Sequence, residues 1–459
     1  MAQTIFIAIF EGVEAKNILR TPVLSTLLQK PDLRIVLFTK SEERVEYYKK
    51  EFNDPRLLYE VVKVPAPHGV DHFFAGLKFL LLRTPTTDLK RRMTHEESGR
   101  FFNFIIGFFL NRLLSRPIVR RLARFLDYHL VRNDIFSSYF ETYHPDAVFL
   151  AHLFDEPEIH LLREAKRRAV FSIGLVNSWD KATARGILRL LPDKLVVFND
   201  IVKNEVVTHN EMRPDNVFES GLPQYDIYAT HHPSSRNDFF RKIGLDPRKR
   251  LIVYAPMGSA FSDVDWHMID LVTDLIGKGD IKNAELLVRF QPNDFIDEAE
   301  LKQRPGLTYD YPGRRFTGKR GIDWDMDGKD LHHLADTLYH ASLIISFASS
   351  IPIDALAFDK PSINIGFEPA LSAGGREGKR LLRKSPTQYY KMEHYRRVLE
   401  SGGITFVHSP EELVERANFL LDNPSFGAKE RAKLKKEQWQ FEDGGSGERI
   451  GKFILGHLR

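Results

Sequence analysis

The chain has 459 residues, 42% of them hydrophobic and 28% charged, with 66 Lys and Arg against 62 Asp and Glu. That is ordinary globular composition over about three typical domain lengths, so disordered and fibrous architectures are excluded and two substantial domains are expected. A formal charge of +4 argues against a general nucleic-acid binder, and the absence of cysteine removes disulfide scaffolds, thiolate zinc sites and cysteine nucleophiles together.

The apolar run TIFIAIF (4–10) stops at Glu11 and has no basic segment before it, so it reads as a buried first strand rather than a signal peptide. LRIVLFT (33–39) and AVFLAHL (147–153) have the same character, and helical sequence follows each. After EPEIHLLREAKRRA come the strands FSIGLVN (171–177) and KLVVFND (194–200), joined by the polar loop SWDKATARG. Alternating strands and helices predict a parallel sheet with right-handed crossovers.

Residues 77–133 interrupt this alternation. They hold twelve bases and four acids, an excess larger than that of the whole chain, together with the apolar stretch FFNFIIGFFLN (101–111). That stretch is too short to span a bilayer, which needs ~20 residues. The combination fits an anionic membrane surface, or helices packed on the sheet with solvated arginine tips; RNA binding is the weaker third reading, with no recognised module to support it.

Turn formers and histidines cluster in GLPQYDIYATHHPSSR (221–236), which reads as a linker. Five further strands are expected beyond it: RLIVYAPM (250–257), AELLVRF (284–290), LIISFA (343–348), SINIGF (362–367) and GITFV (403–407). The boundaries are then 1–228 for an N-terminal Rossmann-like domain carrying 77–133 as a basic amphipathic insertion, and 229–440 for a C-terminal Rossmann-like domain. Residues 441–459 follow as a C-terminal helical segment. The fold class is α/β, with two wound parallel-sheet domains facing across a cleft.

Ligands of wound α/β domains bind beyond the carboxyl ends of strands. There the second domain offers Ser349 and Ser350 ahead of a helix carrying Pro352 in its first turn, a place for a diphosphate, with Asp354 one turn on for a ribose diol. Gly258 and Ser259 end a second strand, where a backbone can approach a phosphate, and Arg289 and Gln291 end a third, where a cation can stabilise a departing nucleoside diphosphate. In the first domain the polar strand ends include Glu11, Glu14, His152, Asp155, Glu156 and Asp180. Transfer to a hydroxyl needs a general base, and Asp180, Glu11 and His152 are the candidates in that order. The acidic run Asp323, Asp325, Asp327, Gly328 begins like a calcium loop, but Leu334 stands where the bidentate Glu belongs, so a helix-capping loop is expected and no metal site. Motifs for a P-loop, a nucleophile elbow and a dinucleotide fingerprint are lacking, which counts against a kinase, a lipase and a dehydrogenase.

Taken together, EAKNILRT (14–21), SWDKATARGILRLLPDKLVVFND (178–200), VFESGLPQYD (217–226), LLVRFQPND (286–294), LADTLYHASLIISFASSIPIDALAFDKPSINIGFE (334–368), EHYRRVLESGGI (393–404) and FEDGGSGERIGKFI (441–454) resemble the GT-B-type glycosyltransferase superfamily. The resemblance is to its bacterial surface-polysaccharide branch, near CDP-glycerol glycerophosphotransferases and UDP-N-acetylglucosamine 2-epimerases. It implies a nucleotide-sugar donor held by the second domain (229–440), an acceptor at the first (1–228) and a C-terminal helix, 441–459, crossing back to the first domain, with Ser349 and Ser350 on the diphosphate, Asp354 on the ribose and Arg289 on the leaving phosphate. Gln291 stands where many relatives have a histidine, and the histidine and glutamate signature of the epimerases is missing from the first domain. The resulting expectation is a metal-independent glycosyltransferase without a resident cofactor. It is expected to be cytoplasmic and peripheral on the inner membrane face, with a lipid-linked or glycan acceptor and no nucleic acid. Alternatives are a CDP-alcohol-dependent transferase and a non-catalytic nucleotide-binding relative.

Overall fold

The computed structural model describes residues 3–317, 323–369 and 381–458, so Gly321 and Ile322 at the head of the acidic run, and the last residue of the C-terminal segment, lie outside it. The chain divides into two compact units: Met1–His95, Arg100–Asp226 and Trp439–Arg459 form the first, Glu96–Gly99 and Ile227–Gln438 the second.

The first unit is built on seven parallel strands: β1 (Gln3–Ala8), β2 (Leu33–Thr39), β3 (Leu57–Val61), β4 (Ala147–Leu150), β5 (Phe171–Leu175), β6 (Lys194–Val197) and β7 (Val217–Glu219). Their order is β3-β2-β1-β4-β5-β6-β7. β1 pairs with β2 on one side, Ile5 opposite Ile35, and with β4 on the other, Ile7 opposite Phe149. The wound parallel sheet expected from the alternation is therefore present, with β3 and β7 as additional edge strands.

Both faces of this sheet are covered, which is why β1 reads as a continuous apolar run. On one face Phe6, Phe38, Val148 and Leu150 pack with Phe136, Phe140 and Leu162. On the other, Ile5, Ile35 and Phe149 pack with Val23, Leu27, Ile450 and Ile454, so the C-terminal helix Ser446–Leu455 completes the first unit's core. Its two internal glycines allow the close approach: a Cβ on Gly451 would lie 2.6 Å from Thr26 Cβ, and one on Gly447 2.9 Å from Pro22 Cδ. Asp226 fixes the start of that helix by accepting hydrogen bonds from the backbone N–H of Ser446 (3.0 Å) and Gly447 (2.6 Å). The glycine-rich tail is thus a helix start made for packing.

The insertion folds as four helices: α1 (Gly69–Leu81), α2 (Pro85–Ser98), α3 (Phe101–Leu114) and α4 (Pro117–Leu130). Charge anchors them. Buried Arg189 binds Asp127 of α4 (2.7 Å) and Asp71 of α1 (2.8 Å), while Arg163 binds Asp127 at 2.6 Å. Lys78 of α1 meets Glu156 at 2.7 Å. Arg120 and Arg124 of α4 each reach Glu211 at 2.6 Å. Three of the twelve bases are therefore buried structural partners of acids rather than solvated tips.

The second unit carries six parallel strands, β8 (Arg250–Ala255), β9 (Ala284–Arg289), β10 (Tyr309–Asp310), β13 (Ala341–Ser346), β14 (Ser362–Ile365) and β15 (Thr405–Val407), in the order β10-β9-β8-β13-β14-β15. A two-stranded antiparallel ribbon, β11 (Arg314–Arg315) with β12 (Trp324–Asp325), stands apart. Asp325 belongs to that ribbon, and Asp327 caps the helix Gly328–His340 by accepting from the Asp330 N–H at 2.9 Å, which is the capping role expected of the acidic run.

Candidate functional site

In each sheet the strand order reverses once, and a wound sheet binds ligand at that reversal. In the first unit it lies between β1 and β4, in the second between β8 and β13. These are the strands whose carboxyl ends carry Glu11 and His152 in one unit and Ser259, Ser349 and Ser350 in the other.

Beyond β1 the chain turns at Glu11 into a short helix, Gly12–Glu14, which continues as a π-helical turn, Ala15–Leu19. Buried Glu14 folds back to accept from the N–H of Glu11 at 2.8 Å and from that of Phe10. Beyond β4, His152 is buried, with its Nδ1 2.6 Å from Asp155 Oδ2 and 3.3 Å from Glu14 Oε1. The backbone N–H of His152 donates to Glu158 (2.8 Å) on the following helix, Glu156–Arg167. On the far side of the ring, Lys181 Nζ meets His152 Nε2. The structure thus brings Glu11 and His152 together and adds Glu14, Asp155, Glu158 and Lys181.

Electrostatics separate these groups. Burial, helped by the negative charges of Asp155 and Glu14, pushes Glu11 up to about 7. Asp155 is buried too, but the His152 and Lys181 charges outweigh that and hold it down at about 2. Burial and the Lys181 ammonium depress His152, but Asp155 and Glu14 prevail and its net shift is upward. Fully buried Glu158 is raised far above the carboxylate range by desolvation and the charge of Glu14. Burial and the neighbouring Arg185 charge lower Lys181. Two carboxyls held at opposite ends of the scale around a histidine make a set that can accept, hold and return a proton near neutrality. Glu11, His152 and Asp155 also place one ligand atom each within 4.8 Å of one another, a spacing that suits a divalent ion.

Asp180, first among the sequence candidates, directs its carboxylate to the Ser178 hydroxyl at 2.6 Å. Lys181, the next residue, reaches the cluster instead. Neither Lys181 nor Glu158 was singled out by sequence; the only signal was their position in polar segments after β5 and β4.

In the second unit the serine loop after β13 is shaped from below. Tyr395 donates to Asn364 Oδ1 at 2.9 Å, and the Asn364 amide donates to the carbonyls of Ser346 (3.2 Å) and Phe347 (2.9 Å). Tyr395 also takes the Ser349 N–H. Ser349 is half-buried and Ser350 exposed, and the helix they precede, Ile351–Ala355, is only five residues long, so its dipole is small. Asp354 accepts from the Tyr228 hydroxyl at 2.9 Å.

The other two strand ends are already engaged. Ser259 donates through its N–H (2.7 Å) and hydroxyl (3.0 Å) to Asp294, and the Gly258 N–H donates to Asp265 (2.7 Å), which burial raises to about 6. Arg289 is buried and ion-paired with Asp310 at 2.9 Å, and Asp310 is shared with His333 at 3.0 Å. The Gln291 amide donates to the carbonyls of Pro256 and Met257, tying β9 to β8. A cation that sequence reasoning passed over, Lys384, donates to the Ser259 carbonyl.

No protein-family model and no curated protein sequence matches the chain. Solved structures do. UDP-GlcNAc 2-epimerase from Neisseria meningitidis, bound to UDP-GlcNAc, superposes with a TM-score of 0.56 at 9% identity, covering 99% of this chain and 100% of that one. MnaA from S. aureus, in a structure with UDP, gives 0.54 at 12% identity over 99% of this chain and 98% of that one. UDP-GlcNAc 2-epimerase from Methanocaldococcus jannaschii gives 0.52 at 12% identity over 99% and 100%. At these identities the likeness is one of fold, and it is the GT-B-like fold that the resemblance implied.

Proposed function

We propose that this chain is a nucleotide-sugar-dependent enzyme, a glycosyltransferase that moves a sugar from a nucleoside-diphosphate donor to a hydroxyl of a lipid-linked or surface-polysaccharide acceptor. The observation that carries the reading is Glu11: a half-buried carboxyl at the strand-order reversal of the first unit, raised to about 7 and flanked by His152 and Asp155. A base with that pKa takes a hydroxyl proton efficiently at neutral pH. As the acceptor oxygen attacks the anomeric carbon, its proton passes to Glu11, and the nucleoside diphosphate departs with the electron pair of the broken bond.

The donor falls to the second unit. Ser349 and Ser350 offer hydroxyls to the diphosphate, and the ribose diol replaces the Tyr228 hydroxyl on Asp354. Arg289 is engaged by Asp310 and Ser259 by Asp294; among the described residues Lys384, which donates to the Ser259 carbonyl, is a cation that can turn to a phosphate. No step requires a metal.

One alternative is favoured by the comparisons: inversion at C2 of a UDP-sugar, because the superposing solved structures bear the name of that reaction. Incubation of the protein with UDP-GlcNAc and no acceptor, followed by NMR, separates the two. A C2 epimer of the UDP-sugar formed at catalytic rates without acceptor would support epimerisation and contradict the transferase. UDP release only with an added lipid-linked or glycan acceptor is the expected result.

A further inference from the structure

Helix α4 is built inside out. Its buried face consists of Arg120, Ala123, Arg124 and Asp127, and its outward face carries Ile118, Leu122, Phe125, Leu126 and Leu130. Ile118 is 76% exposed and Phe125 60%. A helix of a water-soluble unit ordinarily turns its apolar stripe to the core and its charges to solvent.

The preceding helix repeats the pattern. Along α3, Phe102, Ile106, Phe109 and Leu113 follow one another at helical spacing on the outer face, with Phe102 79% exposed and Phe109 65%. Asn111 points the other way, buried and donating to the carbonyls of Leu80 (2.6 Å) and Leu82 (2.9 Å) at the end of α1. Two successive helices therefore keep polar groups inside and present phenylalanine, leucine and isoleucine outside. Fourteen of the twenty exposed large hydrophobic residues among the described residues fall between Val70 and Leu130, so apolar exposure is concentrated in the insertion rather than scattered over the chain.

The charges that remain outside identify the partner. Arg100 stands before α3, Arg116 before α4 and Arg132 just after it, with Arg121 beside Leu122 on the outer side; all four are exposed. Apolar helix centres with arginines at the ends and flanks match an anionic bilayer surface, where side chains enter the acyl boundary and guanidinium groups meet headgroup phosphates. Both helices have 14 residues, too short to cross a membrane and suited to lying in its plane.

We infer that α3 and α4 form a membrane-docking surface that lies in the interface of an anionic bilayer through Phe102, Phe109, Ile118 and Phe125, held there by Arg100, Arg116, Arg121 and Arg132. The inference is independent of the catalytic reading, because it concerns lipid and not substrate.

The test is sedimentation of the full chain with extruded vesicles of phosphatidylcholine and phosphatidylglycerol, or of phosphatidylcholine alone, at low and high salt, with no nucleotide present. Wild-type protein should partition to the anionic vesicles, and salt should weaken that binding. Phe109→Ser with Phe125→Ser should reduce it about tenfold or more, since both rings are exposed and their loss leaves the folded core intact. Arg116→Glu with Arg121→Glu should abolish the preference for anionic over neutral vesicles. Thermal melts confirm that each variant is folded. The proposal is overturned if wild-type protein stays in solution with anionic vesicles at low salt, or if the phenylalanine variant binds as wild type does. It is equally overturned if the wild type is a dimer that the phenylalanine variant dissociates and no vesicle is bound, since the surface would then belong to a second copy.

Discussion

Asp155 holds His152 through a contact of 2.6 Å to Nδ1, and this contact fixes which way the imidazole faces at the reversal point of the first sheet. With Asp155 on Nδ1 and Lys181 on Nε2, the ring is confined between one negative and one positive group.

Replacing Asp155 by Asn removes the larger of the two influences that raise His152, leaving burial and Lys181 to depress it. NMR titration of the histidines should show the His152 transition moving to lower pH in the variant. An unmoved transition would mean that Asp155 does not govern the ring.

Glu11 sets a pH dependence whose sign can be worked out. Its folded pKa, about 7, lies above the ordinary carboxyl value of 4.5, so the native state binds more protons between these values and the carboxylate destabilises the fold as pH rises through that window. Glu11→Gln should therefore melt at the same temperature as wild type near pH 4 and higher than wild type above about pH 7. The same variant should lose turnover by about a hundredfold or more, together with the limb of the pH–rate profile centred near 7.

The C-terminal helix offers a packing prediction. Gly451→Val places a side chain where Thr26 already stands 2.6 Å from the Cβ position, and overpacking of this kind costs about 1–3 kcal/mol. Gly107 of α3, with nothing within 4 Å of its Cβ position, behaves oppositely: Gly107→Ala should stabilise by about 0.5–1 kcal/mol. Chemical denaturation of both variants against wild type tests the pair.

Asp226→Ala leaves the N–H groups of Ser446 and Gly447 without their carboxylate and should cost about 1–2 kcal/mol in the same assay.

Much of this could be read from sequence because parallel strands covered on both faces are unbroken apolar runs; β1, β2, β4 and β8 are buried almost throughout. β3 escaped because only Leu57 of its five residues is buried, and β7 because it has just three residues, immediately ahead of what reads as a linker. At the site, strand ends pointed to Glu11 and His152, since a polar residue closing an apolar run is visible in one dimension. Lys181 and Glu158 were not visible in that way: one reaches back from a four-residue helix, the other from the inner face of a helix read as structural. The pairing of Arg289 with Asp310, 21 residues away on a two-residue strand, likewise left no trace in spacing. The basic insertion was ambiguous for a related reason. Composition counts twelve bases, but only the fold shows that Lys78, Arg120 and Arg124 turn inward while phenylalanines turn outward.

The proposed nucleoside-diphosphate site of the second unit rests on Ser349, Ser350 and Asp354. It is tested most directly by thermal unfolding with UDP, CDP, GDP, ADP and TDP, with and without magnesium, on wild-type protein and on the triple variant Ser349→Ala, Ser350→Ala, Asp354→Asn. One nucleotide should stabilise the wild type without added metal, by about 2.7 kcal/mol at a hundred times its Kd, and the triple variant should lose this shift. Absence of a shift with every nucleotide, or an undiminished shift in the triple variant, would contradict it.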